Sequence, residues 1–192
     1  SKIKDVKYSK SDVHIKWFYD GTLNASANCI DRHLKNNKDK TAIIWVGDDP
    51  KVQKKISYKQ LHSEVSKIAN GLKNIGVKKG DRVTIYLTMI PELAYTMLAC
   101  ARIGAIHSVV FGGFASNELA SRIDDSKAKL LVTASCGFEP GRTVEYKPLV
   151  DEAIKQAQHK ISKMILFQRK GHEVKLNAPM EISWDEAHAS AK

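Results

Sequence analysis

The sequence predicts an α/β fold: part of a doubly wound, largely parallel sheet subdomain, preceded by an N-terminal arm. Three observations carry that prediction. From about residue 57, short runs with strand alternation take turns with amphipathic segments of helical period, the rhythm of parallel strands joined by crossover helices. The 192 residues are 43% hydrophobic and 27% charged, enough for one ordinary domain with a real core. The longest apolar runs are strand-sized, too short to span a bilayer.

In order along the chain, residues 1–25 lack periodicity and read as an arm laid over the body. Trp17, Phe18, Tyr19 and Trp45 are spaced like its core anchors. Ser57 and Gln60 make a capping box that opens a helix whose Leu61, Val65, Ile68, Ala69, Leu72 and Ile75 share one face. Gly76 stops it. After the turn KKGD, "RVTIYL" alternates as a strand. Pro91 sits where a first helical turn tolerates it, and the helix PELAYTMLACARI ends at Gly104. "AIHSVVF" is the next strand, and Ser116 is expected to cap the helix that follows. "KLLVTA" is a third strand, a helix begins near Pro148, and "MILFQR" is a fourth strand. Ser183 and Glu186 suggest a second capping box, and the helix it opens is cut off after about two turns, as in a chain that continues.

A parallel sheet takes its ligands at the carboxyl ends of its strands. That rule singles out three loops: Thr88–Pro91, Phe111–Ala115 and Ser135–Arg142. The pair Gly112–Gly113 reads either as a phosphate cradle or as a sharp turn between strand and helix. It lacks the lysine of a Walker loop and the third spaced glycine of a dinucleotide fingerprint. Arg142 reads as a phosphate contact, since a guanidinium grips two oxygens at once. The alternative is a solvent-facing arginine paired with Glu139.

The remaining candidates lean towards structure. Cys136 needs a neighbouring base to be a nucleophile, and a buried, idle thiol is the plainer reading. The 7 histidines have no metal-ligand spacing, and the 3 cysteines suit neither a disulfide framework nor a zinc site. Asp48–Asp49 lies in a turn and Asp124–Asp125 ends a helix, so both pairs read as solvated or structural. The net charge of +10 raises nucleic acid as a partner. Yet 25 of the 31 basic residues are lysines scattered along the chain, with no arginine–aromatic stripe. The residues alone support a ligand-binding α/β domain. A basic nucleic-acid-binding domain remains as an alternative.

Several long motifs then carry a resemblance: "KWFYDGTLNASANCIDRH", "WVGDDP", "KKGDRVTIYLTMIPELAYTMLACARIGAIHSVVFGGFASNELASRI" and "YKPLVDEAI". In this order and spacing they resemble the N-terminal part of the short-chain acyl-CoA synthetases, the acetyl- and propionyl-CoA synthetases of the AMP-forming adenylating superfamily. The loop "ASCGFEPGR" is similar to the propionyl branch, where acetate-activating members carry an Arg-Gly-Gly-Arg-like stretch, so propionate is favoured over acetate.

The resemblance implies an acid–thiol ligase using ATP, magnesium and coenzyme A. It implies a division into residues 1–25, an extension, and 26–192, the first part of the AMP-binding large domain. Phe111, Gly112 and Gly113 would border the adenine and pantetheine of coenzyme A, and Arg142 would face the nucleotide phosphates. Glu139, Pro140 and Gly141 would line the site through their backbone. The family's lysine-ended phosphate loop, acyl pocket and C-terminal catalytic lysine would lie further on. No catalytic or metal-binding residue is therefore assigned here, and this stretch alone is expected to be inactive; the alternative is a stand-alone coenzyme A or nucleotide-binding module. The expected partners are small molecules (propionate or acetate, ATP, coenzyme A), not nucleic acid or membrane, with self-association through uncovered apolar surface. The expected setting is cytoplasmic, or the mitochondrial matrix for a eukaryotic source.

Overall fold

The computed structural model describes residues 2–139 and 141–189. It opens with a hairpin, β1 (Lys4–Ser9) and β2 (Asp12–Trp17), whose strands pair antiparallel. Short helical turns follow at α1 (Ala25–Cys29), a 3-10 turn (Asp31–His33) and α2 (Leu34–Asn37). A second hairpin joins β3 (Thr41–Val46) to β4 (Gln53–Ser57).

The expected arm is thus an ordered hairpin, and its aromatics are not core anchors. Trp17 and Phe18 are 55% and 62% exposed. The Trp17 and Tyr19 rings find cations instead, with Lys4 Nζ 5.4 Å from the Trp17 ring centroid and Lys2 Nζ 5.5 Å from that of Tyr19. A strand paired on one side only, with nothing packed over its faces, leaves such side chains in solvent. Trp45 is half-buried and donates its indole N–H to the carbonyl of Met89 at 2.8 Å.

The main body alternates α3 (Tyr58–Asn74), β5 (Arg82–Tyr86), α4 (Pro91–Ile103), β6 (Ile106–Val109), α5 (Ser116–Ser126) and β7 (Leu130–Ala134). The short strands β8 (Cys136–Glu139) and β9 (Arg142–Glu145) come next. They are followed by α6 (Tyr146–Gln156), β10 (Lys163–Phe167), β11 (Glu181–Ser183) and α7 (Trp184–Ala189). The Ser57–Gln60 capping box is present in both directions, and α4 runs from Pro91 to a left-handed Gly104 cap, φ +73°. Ser183 Oγ accepts the Glu186 N–H at 3.0 Å ahead of α7.

Five strands form one parallel sheet in the order β11-β10-β7-β5-β6. The chain steps outward from β5 to β6, then returns past β5 to β7. Right-handed crossovers therefore put α4 on one face and α5 and α6 on the other. Val83 and Ile85 of β5, Leu131 and Val132 of β7 and Met164 and Leu166 of β10 are buried between these layers. Among the described residues no helix is long and apolar enough to cross a membrane.

Three local expectations are corrected. Ser116 is the first helical residue of α5, not its cap; Ala115 takes the cap position and offers no side-chain hydrogen bond. The expected loop Ser135–Arg142 is largely a β-hairpin, Cys136–Glu139 pairing antiparallel with Arg142–Glu145. Gly141, φ +77°, supplies the left-handed turn that lets two four-residue strands meet. The helix expected near Pro148 begins earlier, at Tyr146.

Candidate functional site

Because the strand order reverses at β5, the loops after β5, β6 and β7 part to leave a crevice at the carboxyl end of the sheet. A cleft of about 220 Å³ lies there. Its walls include Met89, Phe111, Gly112, Gly113, Phe138 and Tyr146. Sequence reasoning named three of these residues, and Glu139 also lines the cleft.

The Phe111–Ala115 turn is pinned from below. The phenol of fully buried Tyr86, at the end of β5, donates to the carbonyls of Gly112 at 3.1 Å and Phe114 at 2.8 Å. Tyr146 stacks against Tyr86 with ring centroids 4.8 Å apart. A Cβ at Gly112 would lie 2.2 Å from Tyr146 Oη, and one at Gly137 2.6 Å from the same atom. Both positions need glycine because the phenol occupies that space. Burial pushes the Tyr86 phenol up to about 12, with the Tyr146 and Glu139 charges adding to it. Burial likewise raises Tyr146. Above these rings Phe111 stands 72% exposed and meets Phe114 edge-on at 5.8 Å.

The hairpin tip is built otherwise. Arg142 is exposed and gives Nε to Glu139 Oε2 at 2.7 Å, with Nη2 at 2.6 Å from the same oxygen. Its guanidinium is thus paired within the hairpin, as the plainer sequence reading had it. Pro140 lies outside the described residues. Gly141 supplies the turn and has open space around it. Cys136 is buried, and burial raises its thiol, so the idle reading fits. The structure brings Phe111, Gly112, Gly113 and Glu139 to one cleft and leaves Arg142 out of its lining, paired with Glu139.

Three functional candidates escaped the sequence reading. Tyr86 and Tyr146 are separated by sixty positions, and only paired glycines at neighbouring strand ends hint at a shared ring between them. Arg169, just past β10, has a side chain only 13% exposed. Its guanidinium carbon lies 4.5 Å from the Phe138 ring centroid. Its only carboxylate within ion-pair reach among the described residues is Asp48, at 4.0 Å.

A larger cleft, about 780 Å³, opens at the opposite end of the body between α3 and α4, with Lys73, Lys78, Lys79 and Arg102 on its walls. It faces the amino ends of the strands, where this architecture does not bind its ligands. Arg102 is already held there by Asp31 at 2.7 and 2.8 Å.

A reversing parallel sheet with a mostly apolar cleft at its carboxyl end is the architecture of a ligand-binding α/β domain. Residues 30–190 match the model of the AMP-binding enzyme family, and the chain belongs to that family. It is 52% identical over 191 residues, all but one of its own, to the acetyl-coenzyme A synthetase of Methylocella silvestris. It is 52% identical over 192 residues to that of Vibrio cholerae and 50% over 186 residues to that of Shewanella halifaxensis. The chain spans about 30% of the length of these curated relatives.

Proposed function

We propose that this chain forms part of an AMP-forming short-chain acyl-CoA ligase. In that reading residues 26–192 belong to the AMP-binding large domain, residues 1–25 form an extension, and the setting is the cytoplasm. The match over residues 30–190, joined to 50–52% identity with acetyl-coenzyme A synthetases, is the observation that carries it. In such a reaction a carboxylate oxygen attacks the α-phosphorus of ATP and pyrophosphate leaves. The thiol of coenzyme A then attacks the acyl carbon and AMP leaves, with the thiol proton passing to solvent or base. Both steps depend on positioning and charge neutralisation more than on a protein nucleophile.

The residues present fit a share in binding coenzyme A. The exposed Phe111 ring and the apolar cleft wall suit a flat adenine or a pantetheine arm. Tyr86 holds the Gly112–Gly113 backbone in one place, which lets a ligand approach it closely. Glu139, Pro140 and Gly141 belong to this reading through the hairpin backbone. Arg142 would leave Glu139 to meet a phosphate, exchanging one charged acceptor for another. Magnesium would accompany ATP and supply charge neutralisation at the phosphates; among the described residues no three His, Cys, Asp or Glu side chains converge on a common point.

Both acids enter the test, since the Gly-Phe-Glu-Pro-Gly-Arg stretch favours propionate while the relatives are named for acetate. Full-length protein should exchange pyrophosphate into ATP in the presence of either acid and then form the thioester, with the lower KM for propionate. The 192-residue chain alone should do neither. Absence of exchange by the full-length protein with both acids sinks the ligase reading, and a lower KM for acetate sinks the propionate preference.

A further inference from the structure

Phe138 holds two positions at once. One part of its ring lines the cleft with Phe111 and Gly113, while Arg169 lies over its face at 4.5 Å and His172 meets it edge-on at 5.3 Å. Arg169 and His172 come from the turn after β10, and their backbones bridge one another. The same turn is tied to both ends of the hairpin. The Arg169 N–H donates to Ser135 Oγ at 2.9 Å, and the Tyr146 N–H donates to the Ser135 carbonyl at 3.0 Å. His172 Nδ1 also lies 3.7 Å from Glu145 Oε1.

An arginine this deeply placed usually has a well-formed carboxylate partner. Among the described residues the carboxylate within ion-pair reach of Arg169 is the exposed Asp48 at 4.0 Å, so its principal contact is the ring. A guanidinium over a phenyl face at this distance is attractive, more so when shielded from water. It fixes the ring's plane without closing a hydrogen-bond network around the cation. Phe138 is therefore held from behind by a charge, and it is part of the hairpin strand β8.

We infer that Arg169 and His172 are positioning residues that act through Phe138: they hold the β8–β9 hairpin against the Phe111–Gly113 turn and so set the affinity of this cleft for coenzyme A. The inference rests on the ligase reading above. Neither side chain need touch the ligand, because the width between Phe138 and Phe111 decides how an adenine or pantetheine seats.

The test uses full-length protein and four variants: Arg169→Met, Arg169→Lys, Phe138→Leu and the Arg169→Met/Phe138→Leu pair. Arg169→Met should raise the KM for coenzyme A about tenfold, while the KM for the carboxylate moves less than about twofold. Phe138→Leu should do the same, and the double variant should be no worse than the more affected single, because both remove one contact. Arg169→Lys keeps a charge over the ring and should fall between wild type and Arg169→Met. It also carries the test if Arg169→Met does not fold, as judged by its thermal melt. An unchanged coenzyme A KM in the folded arginine variants overturns the inference, as do single effects that multiply in the double. A wild-type protein that makes no thioester overturns the ligase reading and this inference together.

Discussion

The Phe111–Ala115 turn and the Glu139–Arg142 hairpin tip border the same cleft, yet they are secured by opposite means. The turn is fastened from beneath by the buried Tyr86 phenol, and the space where a side chain would stand at Gly112 is already taken by that of Tyr146. The tip has, beyond the β8–β9 ladder itself, an ion pair in solvent beside a left-handed glycine with open space around it. A buried hydroxyl that donates to two carbonyls is expensive to unmake, because the carbonyls are then left unpaired. An exposed ion pair is weak and screened by salt. The site thus joins a fixed wall to an adjustable one.

Four measurements test this contrast. Gly112→Ala should have the largest effect, about 2–3 kcal/mol of lost stability in urea unfolding, since its Cβ must displace Tyr146 Oη. Adding Tyr146→Phe should recover much of the loss, because the next ring atom is 3.1 Å away. Full retention of stability in the single variant would break the contrast. Tyr86→Phe comes next, at about 1–2 kcal/mol, from the loss of both carbonyl contacts.

The third measurement is alkaline titration. Tyr86 ionises near 12 in the fold and near 10 in an unfolded chain, so its contribution is complete below pH 10 and is lost as pH rises towards 12. Wild-type stability should therefore fall over that window more steeply than that of Tyr86→Phe. Equal slopes would mean the phenol does not secure the turn. The smallest effect belongs to Glu139→Gln, below about 0.5 kcal/mol and absent at high salt. A larger, salt-independent loss would show that the tip is as firmly built as the turn.

Legibility in the sequence followed the distance over which each feature is decided. The helix from Ser57 and the helix between Pro91 and Gly104 were readable because caps and breakers act within a few residues. The parallel sheet was readable from repetition. The β8–β9 hairpin was not, since its strands are four residues each and the Pro140–Gly141 pair reads equally well as part of a loop. Trp17 and Tyr19 misled because an aromatic cluster looks the same in sequence whether a core or a lysine meets it. In the site, Gly112 was visible as a glycine, but the ring that requires it comes from Tyr146, far along the chain. Arg142 drew attention through its neighbours in sequence, whereas Arg169 earns its place only through Phe138.

The first hairpin and the segment behind it are attached to the body very differently. Strands β1 and β2 bond to each other, with Phe18 N–H closing on the Ile3 carbonyl at 2.9 Å. Asn24, by contrast, donates to the carbonyls of Ala101 and Arg102, and Asp31 grips the Arg102 guanidinium. Under a pulling force applied at the amino end, the hairpin would unzip one rung at a time at low tension. The load would then reach Asn24 and Asp31 together, at the last turn of α4, where several bonds must give way at once. The molecule is therefore built with a soft lead and a hard stop, and the stop falls at the helix that leads into the sheet's edge strand.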